Sequence, residues 1–210
     1  MTTFFLSRHG ETEWHAENRY AGRSDVALTA RGLTQADQLA RWAGGAGLTS
    51  VWSSTLSRAE ITAGKSAEAA GLPLSTDARF CEVDFGAGEG LTSADMHQRF
   101  PAALEAFHRD PVAHHLPGGE DPVRAAARFI EAMGELASSS PDARILVVAH
   151  STVLRLVVCT YLGIKVSRYR QVFPMVKNCS ITELRLGPRS AALIAYNAET
   201  IPQDLADSPR

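Results

Sequence analysis

Two histidines stand at equivalent places in the chain, each just after a short apolar run. Arg8-His9-Gly10 follows Thr3-Phe4-Phe5-Leu6, and His150-Ser151 follows Ile145 to Ala149. A third polar segment, Ser53-Ser54-Thr55-Leu56-Ser57-Arg58, also ends a strand-like run and opens a helical one. Together they offer two imidazoles and the guanidiniums of Arg8 and Arg58. Arginine forks match phosphate oxygens bidentately and helix N-termini favour anions, so such a grouping suits a phosphoryl group. A neutral imidazole can attack phosphorus and carry the group as a phosphohistidine. The departing oxygen then needs a proton, which calls for a carboxylic acid. Glu82, within Arg79-Phe80-Cys81-Glu82-Val83-Asp84-Phe85-Gly86, is the candidate. Taken singly, each of these residues reads equally as a surface or structural group. Their combination points to chemistry.

The elements that must hold these residues can be read from periodicity. Thr3 to Leu6 reads as a buried strand. Thr29 offers an N-cap, and Leu33, Ala36, Leu39, Ala40 and Ala43 recur at helical spacing up to Gly44-Gly45. Ser50 to Ser53 predicts a second strand, and Ser57 to Ala70 a helix closed by Gly71. Ile145 to Ala149 is the clearest strand, with a helix after it over Thr152 to Leu162. Ser180 to Leu186 and Ala191 to Tyr196 predict a hairpin around Gly187-Pro188. Alternating strands and helices imply an α/β sandwich with a mostly parallel sheet. In such a sheet, ligands bind outside the carboxyl ends of the strands near a topological switch point. The stretch from 86 to 137 carries only helix and loop signals and predicts a lid insertion. A domain over 1–198 and a polar, frayed tail over 199–210 complete the expected organisation.

Composition bounds the alternatives. With 210 residues, 45% hydrophobic and 21% charged, the chain can bury a core without disulfide staples. A formal net charge of -2 argues against a nucleic-acid binder, while leaving room for a local cationic pocket. Three widely spaced cysteines, Cys81, Cys159 and Cys179, support neither a disulfide framework nor a zinc site. His97, His108 and the pair His114-His115 match no metal-ligand spacing and read as surface residues, so no metal is expected. The start lacks a signal-peptide pattern and no stretch reaches membrane-spanning length, which predicts a cytoplasmic protein with no membrane partner.

Arg8-His9-Gly10-Glu11-Thr12-Glu13-Trp14 resembles the RHG signature of the histidine phosphatase superfamily, which includes the cofactor-dependent phosphoglycerate mutases and their phosphatase relatives. The resemblance continues through Glu17-Asn18-Arg19, Gly22, Asp25, Leu28-Thr29, Gly32, Ser53-Ser54, Arg58-Ala59, Glu82 and Phe85-Gly86. It extends to Gly118-Gly119-Glu120 and Val147 to His150, so it spans nearly the whole chain. It implies a three-layer α/β/α sandwich of the phosphoglycerate mutase type. It implies His9 as the phosphorylated nucleophile, with Arg8, Arg58 and His150 on the phosphoryl oxygens. Spacing alone does not choose between the two histidines; the RHG motif chooses His9. Glu82 would protonate the leaving group and then take a proton from water. The resemblance implies no metal and no cofactor, a small phosphorylated substrate as partner, and is compatible with a homodimer.

The sequence also departs from the family pattern. His15 replaces an Asn that usually contacts phosphate, and brings an imidazole that titrates near neutral pH. Ala21 replaces a polar residue and leaves Gly22 to offer its backbone N–H; Ser151 at the helix start is a further phosphate contact. Asp121 stands where Ser often follows Gly-Gly-Glu, and Glu120 reads as a loop or cap residue before a second carboxylate. Phe85 replaces a mutase-like Tyr, and Arg99 is the lone cation from 86 to 107. Met96, Phe100, Leu104 and Phe107 read as lid packing, and Trp14 and Trp52 as core. These features favour phosphomonoester hydrolysis at mildly acidic pH over a mutase. A catalytically weak binding module on the same fold is a third reading.

Overall fold

The strand expected at Thr3 to Leu6 runs from Thr2 to Arg8 (β1) in the computed structural model, which describes residues 1–188 and 190–200. It lies inside a six-stranded sheet of order β3-β2-β4-β1-β5-β6. β2 (Ser50–Ser53), β3 (Leu74–Thr76) and β4 (Arg144–Ala149) run parallel to β1. The hairpin of β5 (Ile181–Gly187) and β6 (Ser190–Ala198) adds two antiparallel strands on the far side of β1.

Alternation along the strands builds two cores. Phe5, Val51, Leu146 and Val148 face α1 (Ala30–Gly45) and α2 (Ser57–Ala70), meeting Leu39, Ala43, Ala59 and Ala63. Phe4, Leu6, Ile145 and Val147 face the other way, onto α5 (Pro122–Ser139) and α6 (Ser151–Tyr161) through Phe129, Met133, Val153 and Val157. Each fully buried side chain of this kind contributes about 1.5–3 kcal/mol. The result is the expected α/β/α sandwich. Local signals set the helix ends. The Thr29 side chain accepts from Gly32 N at the start of α1, and Gly71 ends α2 at φ +67°.

The segment over the strand ends is narrower than 86–137. α3 (Ser93–Arg99) and α4 (Pro101–Arg109) form it, capped by Thr92 and started by Pro101. Met96, Leu104 and Phe107 are buried, so they pack the lid onto the body. α5 instead buries Ala125, Ala126, Phe129, Ala132 and Met133 against the sheet and belongs to the sandwich. β3 and the short α7 (Tyr169–Val172) carry no clear sequence signal. Of the expected polar tail, 201–210 lie outside the described residues.

Candidate active site

Parallel pairing of β1 with β4 sets Arg8 opposite Ala149, and His9 N donates to Ala149 O at 3.0 Å. The next residues, His9 and His150, therefore emerge side by side, with ring centroids 5.0 Å apart. From these two strand ends the chain leaves to opposite faces, into α1 and α6. The site sits at the switch point of the sheet.

His9 Nδ1 lies 2.6 Å from the Gly10 carbonyl oxygen. That bond places the ring proton on Nδ1 and leaves a lone pair on Nε2. Burial, then the charges of Arg58 and Arg8, hold His9 well below its ordinary pKa, so the ring is neutral. Burial and Arg58 act on His150 in the same direction. Gly10 packs so tightly on the first turn of α1 that a Cβ there would meet Gly32 O at 2.4 Å.

Arg58 is only 1% exposed. Its Nη1 and Nη2 donate to the carbonyls of Ser24 and Gly22 at 2.6 and 2.7 Å. Gly22 holds φ +42°, which suits only glycine in this crowded turn. Glu89 ties the turn by accepting from Arg23 N, Ser24 N and Phe85 N. Nothing in the sequence distinguishes Glu89 from any solvated carboxylate.

Three buried nitrogen atoms at this site have no partner among the described residues: Arg8 Nε, Arg58 Nε and His150 Nδ1. Ser54 Oγ accepts from Leu56 N and lies 2.8 Å from His150 Nε2. With Nε2 facing the Ser54 hydroxyl, His150 Nδ1 is left buried with nothing to meet. Burial lowers the Arg8 pKa to about 10, which still leaves the guanidinium charged at neutral pH.

Glu82 is brought into the same cavity, but it does not hang free. Its Oε2 accepts from Thr152 N at 2.8 Å, and Oε1 accepts from Val153 N and Val83 N at 2.8 and 2.9 Å. The N-terminus of α6 is thus occupied by Glu82, where the sequence suggested a binding place for phosphate. Ser151 still lines the cavity, at the first position of α6. Arg128 grips both oxygens of Glu120 at 2.8 and 2.9 Å and bonds the carbonyls of Arg79, Cys81 and Glu82. Glu120 is therefore part of the clamp on the Glu82 loop. It is not a second carboxylate in the cavity.

His15 packs edge-on to His9, with centroids 6.1 Å apart. Arg8 Nη2 lies 2.5 Å from His15 Nε2, while His15 Nδ1 accepts from Thr12 N at 3.0 Å and lies 2.8 Å from Thr12 Oγ1. Burial and the Arg8 charge lower its pKa to about 4. The imidazole is neutral and orients Arg8.

These residues line a cavity of about 690 Å³. Trp14 lines it too, contrary to the expected core position, whereas Trp52 packs against Phe80. Cationic residues that the sequence did not single out, Arg155 and Arg170, also border it. Lone arginines on helices read as solvated, and nothing in their spacing separates these two. His97, His108, His114 and His115 are exposed. Among the described residues no cluster of three His, Cys, Asp or Glu is placed to hold a metal ion, and no helix is long and apolar enough to cross a membrane.

Known proteins share this architecture. Probable phosphoglycerate mutase GpmB of Proteus mirabilis is 33% identical over 184 residues, 88% of this chain and 85% of that protein. The mycobacterial glucosyl-3-phosphoglycerate phosphatase structure with VO3 superposes with a TM-score of 0.85 at 29% identity, covering 94% of this chain and 99% of that one. A putative alpha-ribazole-5'-P phosphatase from Escherichia coli gives a TM-score of 0.85 at 26% identity, covering 96% and 99%. The profile of the Histidine phosphatase superfamily (branch 1) matches residues 4–199, and the chain belongs to that family.

Proposed function

We propose that this protein hydrolyses small phosphomonoesters through a phosphohistidine at His9, without a metal. The observation that carries the reading is the set of unpartnered buried nitrogens on Arg8, Arg58 and His150, gathered beside a neutral His9. A phosphoryl group would satisfy all three while His9 Nε2 attacks phosphorus. The ester P–O bond breaks, and the leaving oxygen takes a proton from Glu82. Water then attacks phosphorus, the P–N bond breaks, and Glu82 recovers a proton from the water. Preorganised cationic donors supply the transition-state stabilisation. The two relatives described as phosphatases are similar over nearly the whole chain, which supports the hydrolytic reading.

A mutase reading is favoured by one fact: relatives at 32–33% identity are described as probable phosphoglycerate mutases. The two separate on 3-phosphoglycerate, where a mutase forms the 2-phospho isomer and a phosphatase releases inorganic phosphate. The first experiment is p-nitrophenyl phosphate hydrolysis in EDTA by wild type and His9→Ala. Turnover that disappears in the variant supports the reading. Turnover that survives it removes His9 as the nucleophile.

A further inference from the structure

Beyond the phosphoryl pocket, the cavity has a second cationic wall. Arg155 lies five residues after His150 on α6, about 7.5 Å along the axis, and Arg170 lies on α7. Both border the same cavity as His9. Neither makes an ion pair among the described residues, whereas Arg19, Arg79 and Arg128 all do. Arg155 Nε donates to Ser151 O at 3.0 Å, but Nη1 finds the carbonyls of Phe173 and Pro174 only at 3.4 and 3.3 Å.

The two guanidiniums are held by a shared ring. Arg155 lies 4.8 Å from the Tyr169 ring centroid and Arg170 lies 5.5 Å from it. Tyr169 is 2% exposed, and its hydroxyl accepts from Arg170 Nε at 2.9 Å. Arg170 also stacks at 4.6 Å on Phe107 of the lid helix α4. Stacking fixes a guanidinium plane while leaving its N–H edge free to fork onto an oxyanion. A cavity of about 690 Å³ leaves ample room beyond a phosphoryl group.

We propose that Arg155 and Arg170 form a second anion subsite, so that the preferred substrates carry a carboxylate or another phosphate a few bonds from the ester phosphate. The subsite rests on the phosphomonoesterase reading for its place in a reaction, but not for its existence. Such a subsite places its cations on α6 and α7, outside the 86–107 segment where Arg99 is the lone cation.

The test uses non-hydrolysable phosphonates, so binding is read apart from turnover. Titration calorimetry compares methylphosphonate with 3-phosphonopropionate and propane-1,3-bisphosphonate in wild type, Arg155→Gln and Arg170→Gln. Wild type is expected to bind at least one of the two-anion ligands tenfold or more tightly than methylphosphonate, and each variant to lose most of that ratio. The carboxylate and bisphosphonate arms identify which anion the subsite takes. Because the ratio is internal to each variant, a general loosening of the pocket does not imitate the effect. Equal binding of all three ligands by wild type overturns the subsite, as does a ratio that survives both substitutions. A tenfold ratio in a protein that hydrolyses no ester upholds the subsite and removes the catalytic reading instead. Hydrolysis without any ratio does the reverse.

Discussion

At the scale of single residues, the site depends on which nitrogens carry protons. His9 donates through Nδ1 and His15 accepts Arg8 through Nε2, so both rings are needed in the neutral form. With its pKa lowered to about 4, His15 should titrate far below an ordinary histidine. Ring ¹⁵N shifts followed by NMR are expected to show a midpoint near that value; a midpoint above 6 would break the Arg8 to His15 assignment. Glu82 poses a sharper question, since both its oxygens already accept backbone N–H groups. If it protonates the leaving oxygen, Glu82→Gln should slow phosphoryl transfer from an alkyl ester by about 10²–10⁴-fold. The nitrophenolate burst from p-nitrophenyl phosphate should suffer much less, because that leaving group needs little help. Rapid-quench measurements of both esters decide it. An equal loss on both would mean that Glu82 serves only to hold α6 in place.

At the scale of elements, the turn at residues 22–24 sets the neighbouring Arg58. Glu89 braces residues 22–24, and their carbonyls fix both terminal nitrogens of Arg58. A Cβ on Gly22 would sit 1.9 Å from Glu89 Oε1, at a φ of +42°. Gly22→Ala should therefore cost about 1–2 kcal/mol of stability from the backbone alone and, by displacing the turn, lower kcat/KM more than tenfold. Denaturant unfolding and steady-state kinetics on the same variant test both parts. Unchanged kinetics would detach this turn from Arg58. Much of this architecture was legible beforehand, because β4, α1 and α2 carry strong apolar periodicity with Thr29 and Gly71 at their ends. His9, Arg8, Arg58 and His150 were legible because each follows a readable strand or opens a readable helix. β3 was not, being three residues at the sheet edge, none of them buried. α5 does carry an apolar face through Phe129, Met133 and Leu136, but such a face does not say whether it packs on the sheet or within a lid. Glu89, Arg155 and Arg170 gain meaning only from partners distant in sequence.

At the scale of the molecule, a chain of net charge -2 concentrates uncompensated positive charge in one cavity. Folding there keeps His9, His15 and His150 neutral, whereas the unfolded chain protonates them near pH 6.5. Below that pH the unfolded state binds more protons, so stability must fall as the solution becomes more acid. The slope is up to about 1.4 kcal/mol per pH unit for each buried imidazole. Paired carboxylates such as Asp77 and Glu120 have lowered pKa values, so their contribution persists down to the ordinary carboxylate range. The interval between about pH 4.5 and 6.5 therefore isolates the histidines. An anion in the cavity opposes the trend, because its charge favours protonated rings and relieves the repulsion among the arginines. Sulfate is the right probe, since its own charge stays constant over this range. Thermal unfolding without sulfate is expected to show a falling Tm from pH 6.5 to 5, and sulfate protection is expected to grow over the same interval. Sulfate protection that ignores pH would mean only that the anion binds without changing ring protonation, whereas a Tm that rises on acidification would mean that the histidines are charged in the folded protein. That outcome would leave His9 without the lone pair its nucleophilic role demands.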